Sequence, residues 1–443
     1  MKKIFIERDA FLLRTAVYED NILNDIYFEK QDDKPKEGYI YIGEVKNILP
    51  SLKGAFLDIG SEKNVFLYLD GNIKIKKGNR LAVQIIKEEE GEKSAKSSLN
   101  LLLPGRYIML QTLKEEMEFS KKLTEDFKEN IRHEIELYNN TGVIIRSNSI
   151  EVSADEIKNE YDCLYQIYSN IKRKEDYSSS LGLIYDFNGI LGKLLRDISG
   201  SIETITVNDI KDRCFIEDYI KGKINTEVKS EENVFLNHGI EEDIKELRKR
   251  RVILPSKGNI IIEKTEAMYV IDVNSSKNTS ESSIDKTAFK TNIEAAAEIP
   301  RQIRLRGLSG IIIIDFIDLK DRNKKKELLD MLKLGFKEDR LKPSVYPFTE
   351  LNLVQITRKK VTPLSYYLEG DPGCRDGKRL SSLYISILIK EKVHMEKIEN
   401  PVIEVNNIYK NEENSLLYYL AGLIGENFTL LFKEQAQDFL IKH

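Results

Sequence analysis

Two aspartates that follow strongly apolar runs have the surroundings of a divalent-cation site. Asp272 ends the segment AMYVID, and Asp315 ends GIIIID. Ligand groups of α/β sheets collect at strand ends, where a rigid backbone holds a side chain as it leaves the core. Two partly desolvated carboxylates repel each other, and Mg²⁺ relieves the repulsion because it takes a few carboxylates plus waters. The pattern predicts a magnesium site suited to phosphate chemistry.

Asn274 and Asp318 are the nearest polar neighbours of these acids along the chain. Asn274 lies two residues after Asp272, on the same face if the strand continues, so its amide could orient a phosphate oxygen or a water. Asp318 lies three residues after Asp315 and is the weaker candidate. Taken singly, an Asp at a strand end is more often a turn or N-cap residue than a ligand. The segments around the acids must decide between these interpretations.

The elements that would hold the acids alternate between strand and helix. Residues 248–368 contain strand-like runs such as GIIIIDFI, and the helical segment IDKTAFKTNIEAAAEIPRQIRLRG separates the two aspartates. This alternation predicts an α/β unit. Residues 37–103 are rich in β-branched and aromatic residues between Gly, Asn and Lys turns, which is typical of a small β-barrel. Residues 104–184 are predicted to be mainly helical, with one strand at TGVIIRS, because apolar residues recur at spacings of three and four.

The other segments are shorter. Residues 1–36 have the pattern of strands that are too few to form a core of their own, so we expect them to pair with strands from elsewhere. Residues 185–247 mix helix and strand, residues 369–380 form a polar linker, and residues 381–443 form a small mixed segment.

Composition narrows the function classes. The 443 residues are 32% charged, and no apolar run approaches the roughly 20 residues of a membrane span. Glu7, Arg8 and Asp9 interrupt the N-terminal segment, so it is not a signal peptide and a cytoplasmic protein is expected. Three distant cysteines argue against a disulfide framework, and four histidines leave carboxylates as the more open catalytic route. With a net charge of −4, any nucleic-acid contact must come from local basic patches.

The segments around the two aspartates resemble the catalytic subdomain of the RNase E/G family. The resemblance runs through LPSKGNIIIEKTEAMYVIDVNS and TAFKTNIEAAAEIPRQIRLRGLSGIIIIDFIDL. It implies a DNase I-like fold in which Asp272 and Asp315 hold Mg²⁺ and Asn274 assists at the scissile phosphate. It also implies an endoribonuclease that leaves 5′-phosphate and 3′-hydroxyl ends. A water activated by the metal would attack, so neither a ribose hydroxyl nor a His is needed.

Residues 37–103 resemble an S1 domain, which is an OB-type barrel. The segment GYIYIGEVKNILPSLKGAFLDIGSEKNVFLYL carries the family pattern, and Phe56 and Phe66 match its base-stacking positions. Such stacking contributes about 1–3 kcal/mol per base. The alternative is that both rings belong to the barrel core. Lys93 matches a lysine near the RNA path of the family, although glutamates such as Glu89 surround it.

The segment TGVIIRSNSI resembles the family's pocket for an RNA 5′-monophosphate. Arg146 and Ser147 stand where an Arg and a Thr hold the phosphate, and an Arg offers a bidentate fork. Asn148 and Ser149 replace the usual Ala-Gly. Because the glycine is missing, the backbone of the loop is expected to approach phosphate less closely. Lys342 matches a basic residue near the same end of the substrate. The alternative for these cations is a solvated surface position.

Three further positions depart from the family pattern. The linker motif CPxC, through which two family protomers share a zinc, reads 371–374 Asp-Pro-Gly-Cys here. Structural zinc sites prefer Cys and His, so a zinc link through Cys374 is disfavoured, and a homodimer would rely on other contacts or be weak. Pro300 stands inside the helix between the aspartates and removes a backbone hydrogen bond, which costs about 3 kcal/mol or kinks the helix. Gln355 replaces the usual Glu.

The expected function is cleavage of single-stranded RNA, in mRNA decay and in maturation of rRNA and tRNA precursors. Two alternatives stay open. The altered linker and Pro300 are compatible with a non-catalytic RNA-binding or scaffold protein that retained the fold. A DNA-directed phosphodiesterase on a DNase I-like fold is disfavoured by the S1 barrel.

The expected fold is α/β and multidomain: an RNase H-like support (1–36 and 185–247), an S1 barrel (37–103), a helical 5′-sensor (104–184), a DNase I-like catalytic subdomain (248–368), a degenerate zinc-link (369–380) and a shortened small domain (381–443).

Overall fold

The computed structural model of the chain contains two compact units. The first unit comprises Met1–Gln31 and Gly200–His443, and the second comprises Asp32–Ser199. No helix within the described residues is long and apolar enough to cross a membrane. The structure describes residues 1–69, 74–89, 92–187, 189–198, 201–221, 226–275, 284–337, 339–370, 379–434 and 437–442.

Strands and helices are numbered in chain order. The strands are β1 (Lys2–Arg8), β2 (Leu12–Glu19), β3 (Ile22–Lys30), β4 (Ile40–Leu49), β5 (Gly54–Asp58), β6 (Val65–Tyr68), β7 (Arg80–Lys87), β8 (Lys96–Ser98), β9 (Leu102–Pro104), β10 (Ile108–Thr112), β11 (Met117–Phe119), β12 (Thr141–Ile145), β13 (Gly182–Tyr185), β14 (Ile202–Val207), β15 (Glu227–Ser230), β16 (Arg251–Ile253), β17 (Asn259–Lys264), β18 (Met268–Asn274), β19 (Gly310–Asp315), β20 (Ser344–Val345), β21 (Leu353–Arg358), β22 (Val402–Asn406), β23 (Thr429–Lys433) and β24 (Phe439–Lys442). The helices are α1 (Glu125–Glu134), α2 (Ala154–Tyr177), α3 (Gly189–Asp197), α4 (Ile210–Ile220), α5 (Val234–Asn237), α6 (Ile240–Leu247), α7 (Ile284–Arg306), α8 (Arg322–Gly335), α9 (Ser365–Leu368), α10 (Ser382–Glu396) and α11 (Glu413–Ile424).

A five-stranded sheet of the first unit joins the N-terminus to a distant part of the chain. Its strand order is β15-β14-β1-β2-β3. Strand β1 pairs in parallel with β14, where Ile4 lies opposite Ile205, and antiparallel with β2. The expectation that residues 1–36 pair with strands from elsewhere is therefore confirmed. The pairing lets Phe5 and Leu12 share one buried cluster with Phe235 and Ile387.

A six-stranded sheet of the same unit carries both candidate metal-binding aspartates. Its order is β16-β17-β18-β19-β21-β20, and β18 and β19 are parallel neighbours connected through α7. One face of α7 packs on the sheet, where Ala295 and Ile299 share a core with Ile271 and Ile314. A parallel pair needs such a crossover connection, and the apolar face of α7 fixes it against the strands.

Helix α7 runs from Ile284 to Arg306 across Pro300, so the proline does not break it. The Pro300 ring packs against Gly335, the last residue of α8, where an added Cβ would lie 2.6 Å from the Pro300 Cγ. Arg304, one turn later on α7, donates a hydrogen bond to the Gly335 carbonyl at 3.0 Å. The absence of a side chain at Gly335 thus makes room for the proline between the two helices.

The Gly335→Ala variant is expected to lower the free energy of unfolding by about 1–2 kcal/mol, because its methyl group would overlap the Pro300 ring. Elsewhere in a helix this change would stabilise the protein, since Ala has the higher helix propensity. Urea unfolding measures the loss. The double variant Pro300→Ala/Gly335→Ala is the control and should recover most of it. A single variant at least as stable as the wild type would rule out the overlap.

The second unit contains a closed five-stranded barrel. Strands β4, β5, β6, β8 and β7 pair in that order, β4 also pairs with β7 to close the ring, and β13 adds to the outside of β4. Alternate residues such as Val45, Leu57, Leu67 and Val83 fill the interior. The barrel predicted for residues 37–103 is therefore confirmed, and its closure is that of an OB-type fold.

The prediction that residues 104–184 are mainly helical was wrong in its first part. A four-stranded sheet of order β11-β12-β10-β9 occupies it, and the first helix begins only after the N-cap Thr124, whose side chain accepts from the Phe127 amide. Strands of three to five residues are too short to show a clear period. The compact unit that contains this sheet runs from Asp32 to Ser199, so it includes α3 and continues beyond the predicted boundary at 184/185.

The C-terminal segment forms a small sheet of order β23-β22-β24, covered by α10 and α11. Ser381 caps α10 by accepting from the Tyr384 amide. The linker that precedes it, residues 371–378 with Cys374, lies outside the described residues.

Candidate active site

Asp272 and Asp315 are register partners in the parallel pair of β18 and β19. Neighbouring strands lie about 4.8 Å apart, and register partners project from the same face of the sheet. Asp315 is exposed and Asp272 is half-buried, whereas their neighbours Ile271 and Ile314 point into the core. The two carboxylates therefore lie side by side at the surface, at the end of the strand pair.

The electrostatics of the pair favour a bound cation. Partial desolvation raises the pKa of Asp315 above its ordinary value, and the charges of Asp272 and Asp318 raise it further. Asn274 donates from its amide nitrogen to the Asp272 carboxylate at 2.6 Å, which orients that carboxylate. The structure thus brings Asp272, Asn274, Asp315 and Asp318 into one neighbourhood, in which mutual repulsion is relieved by a divalent ion.

A short hydrogen-bonded chain that the sequence analysis missed holds Asp318. Asn352, which has a left-handed backbone conformation (φ 62°), donates to Asp318 at 3.3 Å and accepts from the Lys325 ammonium at 2.5 Å. A signal for Asn352 did exist, since it directly precedes β21, whose first residue Leu353 pairs with Asp315. Gln355 follows on the same strand face and is exposed.

Phe56 and Phe66 are register partners on β5 and β6 of the barrel. Their ring centroids lie 5.4 Å apart in an edge-to-face arrangement, and both side chains are half-buried rather than part of the barrel interior. Lys93 is exposed just before β8. Of the surrounding acids, Glu89 is engaged by Lys34 at 2.7 Å and by Lys63 at 3.6 Å, which offsets part of the local negative charge.

Arg146 lies at the end of β12 and is already held by protein groups. Its guanidinium donates to the Gly105 carbonyl at 2.8 Å and to the Asp197 carboxylate at 2.7 Å. Ser147 begins the following 3₁₀ turn, and the Asn148 amide connects that turn to the segment before β10 by donating to the Arg106 carbonyl at 2.7 Å. The sequence analysis did not anticipate Asp197, which is distant along the chain.

Lys342 belongs to the first unit, where it lies exposed with a left-handed backbone (φ 45°) in the turn between α8 and β20. Its amide donates to the Asp339 carbonyl at 3.0 Å.

Within the part of the chain that the structure describes, no three His, Cys, Asp or Glu residues form a metal-binding group. A cation at the Asp272–Asp315 pair would therefore complete its shell with water or substrate oxygens.

Comparison with known proteins identifies the family. The profile of the Ribonuclease E/G family matches residues 102–361, which is more than half of the chain. The chain belongs to the ribonuclease E/G family. The segment that matches the family contains both aspartates of the parallel strand pair, together with Asn274 and Arg146.

Three relatives show how far the similarity to other members of the ribonuclease E/G family extends. Ribonuclease G of Haemophilus influenzae is 28% identical over 462 aligned positions, which cover 96% of this chain and 91% of that protein. Ribonuclease G of Escherichia coli K12 is 29% identical over 378 positions, covering 78% and 77% of the two chains. Ribonuclease E of Nostoc sp. is 29% identical over 366 positions, covering 76% of this chain and 53% of that protein.

Proposed function

We propose that this chain is a Mg²⁺-dependent endoribonuclease that cleaves single-stranded RNA to leave 5′-phosphate and 3′-hydroxyl ends. The observation that carries the proposal is the parallel register of Asp272 and Asp315, with Asn274 bonded to the first carboxylate. The proposal is also supported by the names of the relatives, which are ribonuclease G and ribonuclease E.

The residues at the site fit Mg²⁺. This ion is held in proteins by one or two carboxylates and keeps several waters, so a third acidic ligand is not needed. The pKa of Asp315 is raised by desolvation and by the negative charges of Asp272 and Asp318, and a bound cation would offset both effects. Held there, Mg²⁺ would supply Lewis acidity at the scissile phosphate.

The protein groups determine which bond breaks. Asn274 fixes the Asp272 carboxylate with one amide N–H, and its second N–H is suited to a non-bridging phosphate oxygen. Water attacks phosphorus in line with the departing 3′-oxygen, so the phosphate stays on the downstream fragment. The ribose 2′-hydroxyl takes no part, which agrees with a site built of carboxylates and an amide rather than of His.

The remaining predicted contacts concern how RNA is held. Phe56 and Phe66 would stack on bases, with Lys93 near the backbone. Arg146 and Ser147 would bind a 5′-monophosphate, and Lys342, in the first unit, is proposed separately as a contact for the substrate RNA. In this scheme the sheet containing β1 is the RNase H-like support, the barrel is an S1 domain, residues 104–184 form the 5′-sensor, and the sheet containing β18 is the DNase I-like catalytic subdomain. We place the enzyme in the cytoplasm, acting on mRNA and on rRNA and tRNA precursors, without a zinc link in any homodimer.

The test is cleavage of a 5′-monophosphorylated single-stranded RNA oligomer by the full chain with Mg²⁺, and with EDTA in place of the metal. Mass spectrometry of the products should show 5′-phosphate and 3′-hydroxyl ends, and only with Mg²⁺. Binding of RNA without cleavage would instead favour the non-catalytic scaffold. Cleavage in EDTA, or 2′,3′-cyclic phosphate ends, would contradict the mechanism.

The Asp197→Asn variant is expected to increase the preference for 5′-monophosphorylated over 5′-hydroxyl RNA by at least about tenfold, since a hydrogen bond to a charged group contributes about 1.5–3 kcal/mol. In the wild type a terminal phosphate must compete with the Asp197 carboxylate for the Arg146 fork. The ratio of cleavage rates on the two RNAs measures the effect. Asp176→Asn, an exposed acid on α2, is the matched control. An unchanged ratio in Asp197→Asn would mean that Arg146 does not bind the 5′ end.

A further inference from the structure

One face of the barrel carries a row of register partners across four strands. Phe56 on β5 lies opposite Phe66 on β6, and Phe66 lies opposite Lys96 on β8. Lys96 in turn lies opposite Lys87 on β7, just after a shift in the register of that pair. Register partners project from the same face of a sheet, so two aromatic rings and two ammonium groups share one surface. We name these four residues the aromatic–basic row.

Tyr68 extends this row by a third ring. It follows Phe66 by two residues and therefore projects from the same face of β6. Its side chain is 43% exposed, and its ring centroid lies 5.1 Å from that of Phe66 in an edge-to-face arrangement. Opposite Tyr68 stands Gly54, where any side chain would overlap the Phe66 ring. The glycine thus lets Phe66 lie flat on the sheet between Phe56 and Tyr68.

The ammonium group of Lys96 contacts the Tyr68 side chain. Its ammonium donates to the Tyr68 hydroxyl at 2.5 Å and lies 5.1 Å from the ring centroid. An ammonium has three N–H donors, and the other two of Lys96 have no partner among the described residues. A tyrosine of the barrel interior would instead be buried, as Tyr41 is. An exposed aromatic ring can stack on a base, and an ammonium beside it with available N–H donors can bind the phosphate of the same nucleotide.

We propose that Tyr68 and Lys96 form an additional nucleotide contact for single-stranded RNA, next to Phe56 and Phe66, in which Tyr68 stacks on a base and Lys96 binds a backbone phosphate. The inference rests on the proposed function, because it assumes that the barrel binds the substrate. Stacking tolerates any base, since every base has a π-face, so this contact adds affinity without sequence preference. It selects single strands, because bases stacked within a duplex cannot lie on an exposed ring.

The experiment measures the dissociation constant of a short single-stranded RNA oligomer for the full chain, in EDTA and over a series of salt concentrations. Tyr68→Leu should weaken binding roughly tenfold at every salt concentration, whereas Tyr68→Phe keeps the ring and should stay within about twofold. Lys96→Gln should weaken binding and reduce the slope of log affinity against log salt by about 0.7, the loss of one phosphate contact to a single strand. Tyr177→Leu removes an 84% exposed ring at the end of α2 and is the matched control.

The results separate this inference from the proposed function. If the wild type binds and cleaves RNA while Tyr68→Leu binds as tightly as Tyr177→Leu, the inference fails and the proposed function stands. If the wild type does not bind RNA, both fail. Should Tyr68→Leu melt earlier than the wild type, Lys96→Gln decides alone: a salt slope equal to that of the wild type overturns the inference, and a reduced slope supports it.

Discussion

The Asp272→Asn variant is expected to cleave single-stranded RNA at least about 10³-fold more slowly than the wild type at saturating Mg²⁺. The substitution keeps the shape of the side chain and removes its charge, so the parallel pair with Asp315 would hold a divalent cation with one carboxylate instead of two. A metal that stabilises a phosphoryl transition state contributes several kcal/mol, and each 1.36 kcal/mol corresponds to about a tenfold change in rate. Single-turnover rates on a labelled oligomer measure the loss directly.

Two comparisons make this result specific. Asp315→Asn should be similarly slow, and the double variant should be hardly slower than either single variant, because both carboxylates serve one ion and their effects do not add. Asp330→Asn removes an exposed acid from α8 in the same unit and should cleave at the wild-type rate. Full activity of Asp272→Asn, or independent and additive losses in the double variant, would show that the two acids do not share a metal.

The neighbourhood of these acids was predictable because the relevant signals are local. Each aspartate ends an apolar run, and the helical segment between the runs has the length of a crossover that places two strands in parallel. The register that sets Asp272 against Asp315 is not local: it depends on how α7 packs on the sheet through residues such as Ile299. The family resemblance implied that the two carboxylates hold one Mg²⁺, but it did not specify the register.

The features that sequence reasoning missed depend on contacts between distant segments. The Asp197 carboxylate reaches Arg146 only because α3 packs within the same unit, and nothing in the surroundings of Arg146 indicates an acidic partner. Pro300 suggested a damaged helix, whereas its compensating residue, Gly335, lies on another helix. Propensity describes what one segment prefers alone, and packing against a second segment can reverse that preference.

A buried ion cluster in the first unit is a further feature of this kind. Arg14 on β2 is fully buried and donates to Glu7 at 2.9 Å, to Glu391 at 2.9 Å and to Glu241 at 2.5 Å. Lys390 reaches Glu7 at 3.1 Å. The cluster joins β1 and β2 to α6 and α10, four elements that are far apart in the sequence. It therefore connects the N-terminal sheet to the C-terminal segment of the unit.

The charges of the cluster nearly balance. Three carboxylates face two cations, which leaves one excess negative charge in a buried site. Burial, with the neighbouring Glu241 and Glu7, raises the pKa of Glu391 to about 8 against the opposing effect of Arg14. Burial alone would also raise the pKa of Glu7, but Arg14 and Lys390 hold it below its ordinary value. Near pH 6 Glu391 therefore holds a proton, and the cluster is neutral with its hydrogen bonds formed.

The Arg14→Met variant is expected to lose about 3–5 kcal/mol of the free energy of unfolding, because it removes the cation that Glu7, Glu241 and Glu391 share. Lys390 stays paired with Glu7, but the buried Glu241 carboxylate is left with no cation partner among the described residues. Met approximates the volume of the side chain, so the loss reports charge rather than a cavity. Urea unfolding at pH 6 measures it. Arg213→Met breaks an exposed ion pair with Glu217 and should change stability by less than about 1 kcal/mol. Equal stabilities of the two variants would mean that the buried carboxylates do not depend on Arg14 and that the N-terminal and C-terminal segments are joined by apolar packing alone.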